Sequence, residues 1–222
     1  MQTIEALLLE PVGCLAEFPS APFCEIAVRL FGRKRKAGSS ASRTYWDLLN
    51  LIEAAKTPLD AKKKSVAETL EIEAVDAASI YEDVVPAFAE LKSMGIRLFV
   101  ASSLSRRAAS RFIERNSLGE FFSGVYTRDE AGSVKSAPLL NALSGASLTR
   151  EKAMFLTDTA EGIKVARSVG VHPILMMNDP DEALRLVAHN PAGGIVSLHE
   201  LPDFIRLVSA NVSGEAARQG VV

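Results

Sequence analysis

Ile4-Glu5-Ala6-Leu7-Leu8-Leu9-Glu10-Pro11-Val12-Gly13-Cys14-Leu15 is an apolar run that halts on an acid, a proline and a glycine. It has the length of a strand, far below the ~20 apolar residues that cross a bilayer. No positive charge precedes it, as one would in a secretory leader. Short apolar runs recur at 96–101, 124–126, 153–156, 173–177 and 194–196. Between them the apolar residues take helical spacing, at 84–94, 105–116, 137–143, 160–169 and 181–188. Unbroken apolar strands alternating with helices indicate a parallel sheet covered on both faces, so the sequence predicts a doubly wound α/β fold. Gly95 and Gly170 stand where a left-handed helix end precedes a strand.

Residues 16–82 break this alternation. Helical pieces are expected at 23–31, 44–55, 58–73 and 76–80, with a loop at 32–42 carrying Arg33-Lys34-Arg35-Lys36. An all-helical insert after the first strand predicts a small cap domain, 16–82, over a core made of 1–15 and 83–222. The cap would lie at the C-terminal edge of the strands, where open α/β sheets bind their ligands. A content of 48% hydrophobic residues excludes a disordered chain. Lys plus Arg number 25 against 27 acids, a net charge of -2, so neither nucleic acid nor an anionic membrane is expected as a partner. Cys14 and Cys24 match no zinc spacing and read as reduced thiols of a cytoplasmic protein.

Four blocks carry the chemistry. The first is Leu9-Glu10-Pro11-Val12-Gly13-Cys14-Leu15, and the second is Leu98-Phe99-Val100-Ala101-Ser102-Ser103. The third is Lys135-Ser136-Ala137-Pro138, and the fourth is Phe155-Leu156-Thr157-Asp158-Thr159-Ala160-Glu161-Gly162-Ile163. In order and spacing they resemble the haloacid dehalogenase superfamily, a group dominated by magnesium-dependent phosphatases. Its blocks read Asp-x-Asp-Gly-Thr-Leu, a strand ending in Ser or Thr, Lys-Pro-x-Pro, and Gly-Asp-Ser before a helix. The resemblance implies a nucleophilic carboxylate at position 10, forming an acyl phosphate, and a general acid/base at position 12. It also implies phosphoryl contacts from Ser102 and Lys135, and a magnesium ion on Asp158, Glu10 and the Val12 carbonyl.

Three departures fall together in the first block. Glu10 is one methylene longer than the family's Asp, and a misplacement of about 1 Å can slow an aligned reaction ~10²-fold. Val12 cannot carry a proton, a loss of roughly 10²–10⁴-fold. Pro11 has no N–H to offer a phosphoryl oxygen, and losing one such donor slows a reaction about 10²–10³-fold. The family's second acidic metal ligand is also missing, since Thr157, Gly162 and Ile163 occupy its positions. Weak magnesium binding, at millimolar concentration, is therefore expected.

Each position has a plainer alternative. Glu10 could be a solvated strand end, Ser102 a turn former, Lys135 a solvated base or a counter-charge to Glu10 and Asp158, and Asp158 a helix N-cap. A cysteine-phosphatase loop is excluded, because the required Arg six positions on is Ser20 after Cys14 and Leu30 after Cys24. His172, His189 and His199 form no metal or triad spacing. The basic loop 33–36 and Lys62-Lys63-Lys64 read as solvated, and Tyr45 and Trp46 as core of the cap. The expectation is a family scaffold without standard turnover, acting as a binding or regulatory module for a small phosphorylated ligand or a protein partner. An active phosphatase using Glu10 as nucleophile, and a purely structural interaction protein, are the alternatives.

Overall fold

A computed structural model describes residues 3–33, 40–55, 59–130, 135–178 and 180–219. Strand β1 (Ala6–Leu9) is buried along its whole length, as a strand with apolar residues on both faces must be. Its side chains alternate between two apolar clusters, Leu7 and Leu9 on one side of the sheet and Ala6 and Leu8 on the other. After β1 come β2 (Ala16–Glu17), α1 (Ser20–Phe31), α2 (Ala41–Ala54), α3 (Ala61–Asp76) and β3 (Ser79–Ile80). Next are α4 (Val84–Ser93), β4 (Arg97–Ala101), α5 (Arg106–Arg115), β5 (Phe122–Tyr126) and α6 (Ala137–Gly145). The chain then forms β6 (Ala153–Thr157), α7 (Ala160–Val169), β7 (His172–Met176), α8 (Pro180–Val187), β8 (Gly193–Ile195) and α9 (Leu201–Gln219).

The main sheet has the order β5-β4-β1-β6-β7-β8, and every pairing in it is parallel. This is the α/β class that the alternating runs predict. In register, Leu9 lies beside Val100 and Leu156, so the chain leaves β1, β4 and β6 at nearly one level. Gly95 follows α4 and Gly170 ends α7, both at φ 80°, as expected of left-handed helix ends.

Helices α1, α2 and α3 lie between β2 and β3, which pair antiparallel through Ala16 with Ile80 and Glu17 with Ser79. The helical reading of 76–80 is thus corrected. Helix α3 continues to Asp76, and the next residues are drawn into a strand by their partner across the base of the insert, which outweighs local spacing. The sequence also gave no warning of α9. Ser40 and Asp60 cap α2 and α3 with their side chains, accepting from Arg43 N–H at 3.3 Å and Lys63 N–H at 2.8 Å. Within the loop 32–42, residues 34–39 lie outside the described residues, as does Pro58 at the expected start of the third helix. Lys62, Lys63 and Lys64 are exposed as expected.

One apolar cluster runs from the insert into the core, joining Phe23, Tyr45 and Trp46 to Leu7, Leu9 and Phe112. The rings of Phe18 and Phe112 stack at 5.7 Å, and Phe23 meets Tyr45 at 5.1 Å. Among the described residues no helix is long and apolar enough to cross a membrane.

Candidate active site

The end of β1 delivers Glu10, the end of β4 delivers Ser102, and the end of β6 delivers Asp158, all at the C-terminal edge of the sheet. Glu10 is not a solvated strand end; it is 2% exposed. Ser102 Oγ donates to its Oε1 at 2.6 Å, Val12 N–H reaches the same atom at 3.5 Å, and Ser103 N–H donates to Oε2 at 3.3 Å. Burial raises the Glu10 pKa from 4.5 to about 8; these three donors only partly offset it, and the nearby charge of Asp158 adds to it. At neutral pH Glu10 is therefore mostly a neutral carboxylic acid.

Ser102 turns the chain, its Oγ accepting from Leu104 N–H at 3.1 Å, and does more by donating to Glu10. Val12 is fully buried in the apolar cluster and works as a core residue. Gly13 has φ 78°, and a Cβ there would lie 1.9 Å from Ser42 Oγ and 2.1 Å from Asp158 Oδ2, so only glycine fits. Asp158 is not the cap of the following helix. That role belongs to Thr159, whose Oγ1 accepts from Gly162 N–H at 3.1 Å.

Lys135 is not brought to Glu10 or Ser102. Its ammonium donates to Asn50 Oδ1 and pairs with Glu53 at 2.9 Å, both on α2. Sequence reasoning could not foresee this, because both partners belong to the insert. It also missed Asn178, whose Nδ2 donates to the Gly13 carbonyl at 2.7 Å and approaches Asp158 Oδ2 at 3.4 Å. Tyr45 is core, as expected, and its buried hydroxyl lies beside Ser102. Burial first, and then the charge of Glu10, push its pKa up. Cys14 is likewise buried, which pushes its thiol up and keeps it from being a reactive thiolate.

Beside Asp158 opens a cavity of about 1200 Å³ between the insert and the core, with Gly13, Ser42, Asp47, Asn178 and Arg185 in its wall. Glu10 and Ser102 do not line it. The phosphoryl side of the expected site is thus filled by the protein itself, and open space remains on the side of Asp158.

The sequence profile of haloacid dehalogenase-like hydrolases matches residues 37–176, more than half of the chain. The chain belongs to the haloacid dehalogenase-like hydrolase family. Over 112 residues it is 33% identical to enolase-phosphatase E1 of Schizosaccharomyces pombe, a match covering 46% of this chain and 49% of that protein. The chain thus spans about half the length of this relative. Solved structures of the same fold include a haloacid dehalogenase-like hydrolase from Streptococcus pneumoniae, at 16% identity and TM-score 0.67 over 92% of this chain and 99% of that one. A putative phosphoglycolate phosphatase from Lactobacillus plantarum aligns at 16% identity and TM-score 0.69 over 91% and 99%. The L-2-haloacid dehalogenase of Xanthobacter autotrophicus aligns at 14% identity and TM-score 0.62 over 92% and 99%.

Hydrolases of this family generally use magnesium. The residues present here fit that ion poorly. Among the described residues no three His, Cys, Asp or Glu side chains come together as a metal site. Glu10 is turned to Ser102, and the Asn178 amide places N–H groups, not oxygens, between the Gly13 carbonyl and Asp158. An N–H donor opposes a hard cation that needs oxygen ligands.

Proposed function

We propose that this chain keeps the scaffold of its family without its aspartyl-phosphate chemistry, and serves as a binding or regulatory module. The state of Glu10 carries this reading. A buried carboxylic acid, held by Ser102 and mostly protonated at neutral pH, is a poor nucleophile toward phosphorus and a poor cation ligand. Val12 supplies no proton and Pro11 no N–H. Magnesium binds at millimolar concentration at best, and no step of the function is routed through it. Residues 16–82 act as a cap domain, and the two unpaired thiols, buried Cys14 and half-buried Cys24, suit a reducing, cytoplasmic setting.

The ligand or partner occupies the cavity beside Asp158. Among the described residues six acids line it (Glu17, Asp47, Glu82, Asp83, Asp158 and Glu161) against Arg43, Arg185 and His199. That balance weighs against a doubly charged phosphate ester and favours a ligand or protein segment that is neutral or cationic.

The test is a phosphate-release assay with magnesium on a panel of small phosphate esters. The natural protein is expected at background. A triple variant (Glu10→Asp, Pro11→Leu, Val12→Asp) restores nucleophile length, the missing donor and the proton carrier together, yet is expected to stay near background, because Lys135 remains held on α2 and the Asn178 amide still faces Asp158. Turnover by the natural protein that disappears in Glu10→Ala would instead establish Glu10 as a working nucleophile.

A further inference from the structure

Charge is buried where the insert meets the core. Glu71 on α3 is 1% exposed, and Arg128, just beyond β5, is 9% exposed. The guanidinium grips the carboxylate with both terminal nitrogens, Nη1 on Oε1 and Nη2 at 3.0 Å from Oε2. Nη1 also donates to the Ser103 carbonyl at 2.9 Å, and Ser105 N–H donates to Glu71 Oε2 at 3.1 Å. One carboxylate of the insert is thereby fastened to the loops that follow β4 and β5, next to Ser102. Outside it, Arg107 meets Glu68 at 3.2 Å and Arg111 meets Asp76 at 2.8 Å. Arg115 donates to the Ala78 carbonyl at 2.9 Å.

We propose that this seam holds the insert shut on the core, so that the cavity beside Asp158 is preformed and filled without any lifting of the insert. The reason lies in what a partial opening does. A small rotation breaks the paired hydrogen bonds while both charges are still out of water, and an unpaired buried charge is strongly unfavourable. Full opening hydrates the charges but tears the apolar cluster that runs from Tyr45 and Phe18 to Phe112. Hinge movement therefore has no low-energy intermediate. This inference goes beyond the proposed binding role and holds whether or not substrate is turned over.

Hydrogen exchange resolved by residue tests it on the full chain. The Ser105 amide, bonded across the seam, is expected to exchange only with global unfolding, at the rate and denaturant dependence of the Leu8 amide in β1. Exchange at Ser105 that is 10²-fold faster than at Leu8 and indifferent to denaturant would mean a mobile lid, and would overturn the proposal. Glu71→Gln is expected to speed Ser105 exchange relative to Leu8 by roughly 10²–10³-fold. An unchanged ratio would remove the ion pair from the account. Should this variant fail to fold, the comparison in the natural protein still decides.

Discussion

Replacing Glu10 by Gln should abolish a specific loss of stability with rising pH. In the folded chain burial holds the Glu10 pKa near 8, against an ordinary 4.5. The folded state therefore keeps a proton that the unfolded state releases between these values. Because the folded pKa is the higher one, stability from this group is full below pH 4.5 and is lost as pH rises through 8. At 1.36 kcal/mol for each unit of pKa, the loss between pH 5 and pH 9 comes to about 4 kcal/mol. A glutamine is neutral throughout and can turn its amide to accept from Ser103 N–H and donate to Ser102 Oγ, which lie beside the two Glu10 oxygens. Denaturant unfolding of both proteins from pH 5 to pH 9 gives the difference directly, and titrations elsewhere cancel in it. The variant should match the natural protein near pH 5 and exceed it by about 3 kcal/mol at pH 7. A difference that is flat over this range would refute a buried, protonated Glu10.

Two other outcomes are expected. Tyr45→Phe should change stability by less than about 1 kcal/mol in the same unfolding assay, because the buried hydroxyl it removes has only Ser102 beside it; a loss above about 2 kcal/mol would mean that the hydroxyl is firmly bonded. Magnesium at about 1 mM should move Tm by less than about 2 °C, since ligand stabilisation grows as RT ln(1 + [L]/Kd) and the site is thin. Micromolar affinity by calorimetry that survives Asp158→Ala would place a metal site elsewhere.

The strands were legible in the sequence because a parallel sheet buried on both faces leaves continuous apolar runs such as 4–9 and 153–156. Glu10, Ser102 and Asp158 were legible for a related reason, as each sits one or two residues beyond such a run. What failed depended on distant partners. Ser79–Ile80 became a strand through its pairing with Ala16–Glu17, and Lys135 was claimed by Asn50 and Glu53. Glu71 did leave a signal, for Ala67, Glu71 and Ala74 take the i, i+4, i+7 spacing of one helix face, and the two alanines are buried. An acid on that face calls for a buried cation, yet nothing near Arg128 in the sequence names it as the partner. Asn178 likewise carries no pattern before β7 is placed beside β6.

The most direct measurement of lost turnover is a rapid-quench mass analysis of the protein mixed with magnesium and a reactive small acyl or aryl phosphate. The account predicts that the chain keeps its unmodified mass at every time point. A single added phosphoryl group that maps to Glu10, and is absent from Glu10→Ala, would contradict it.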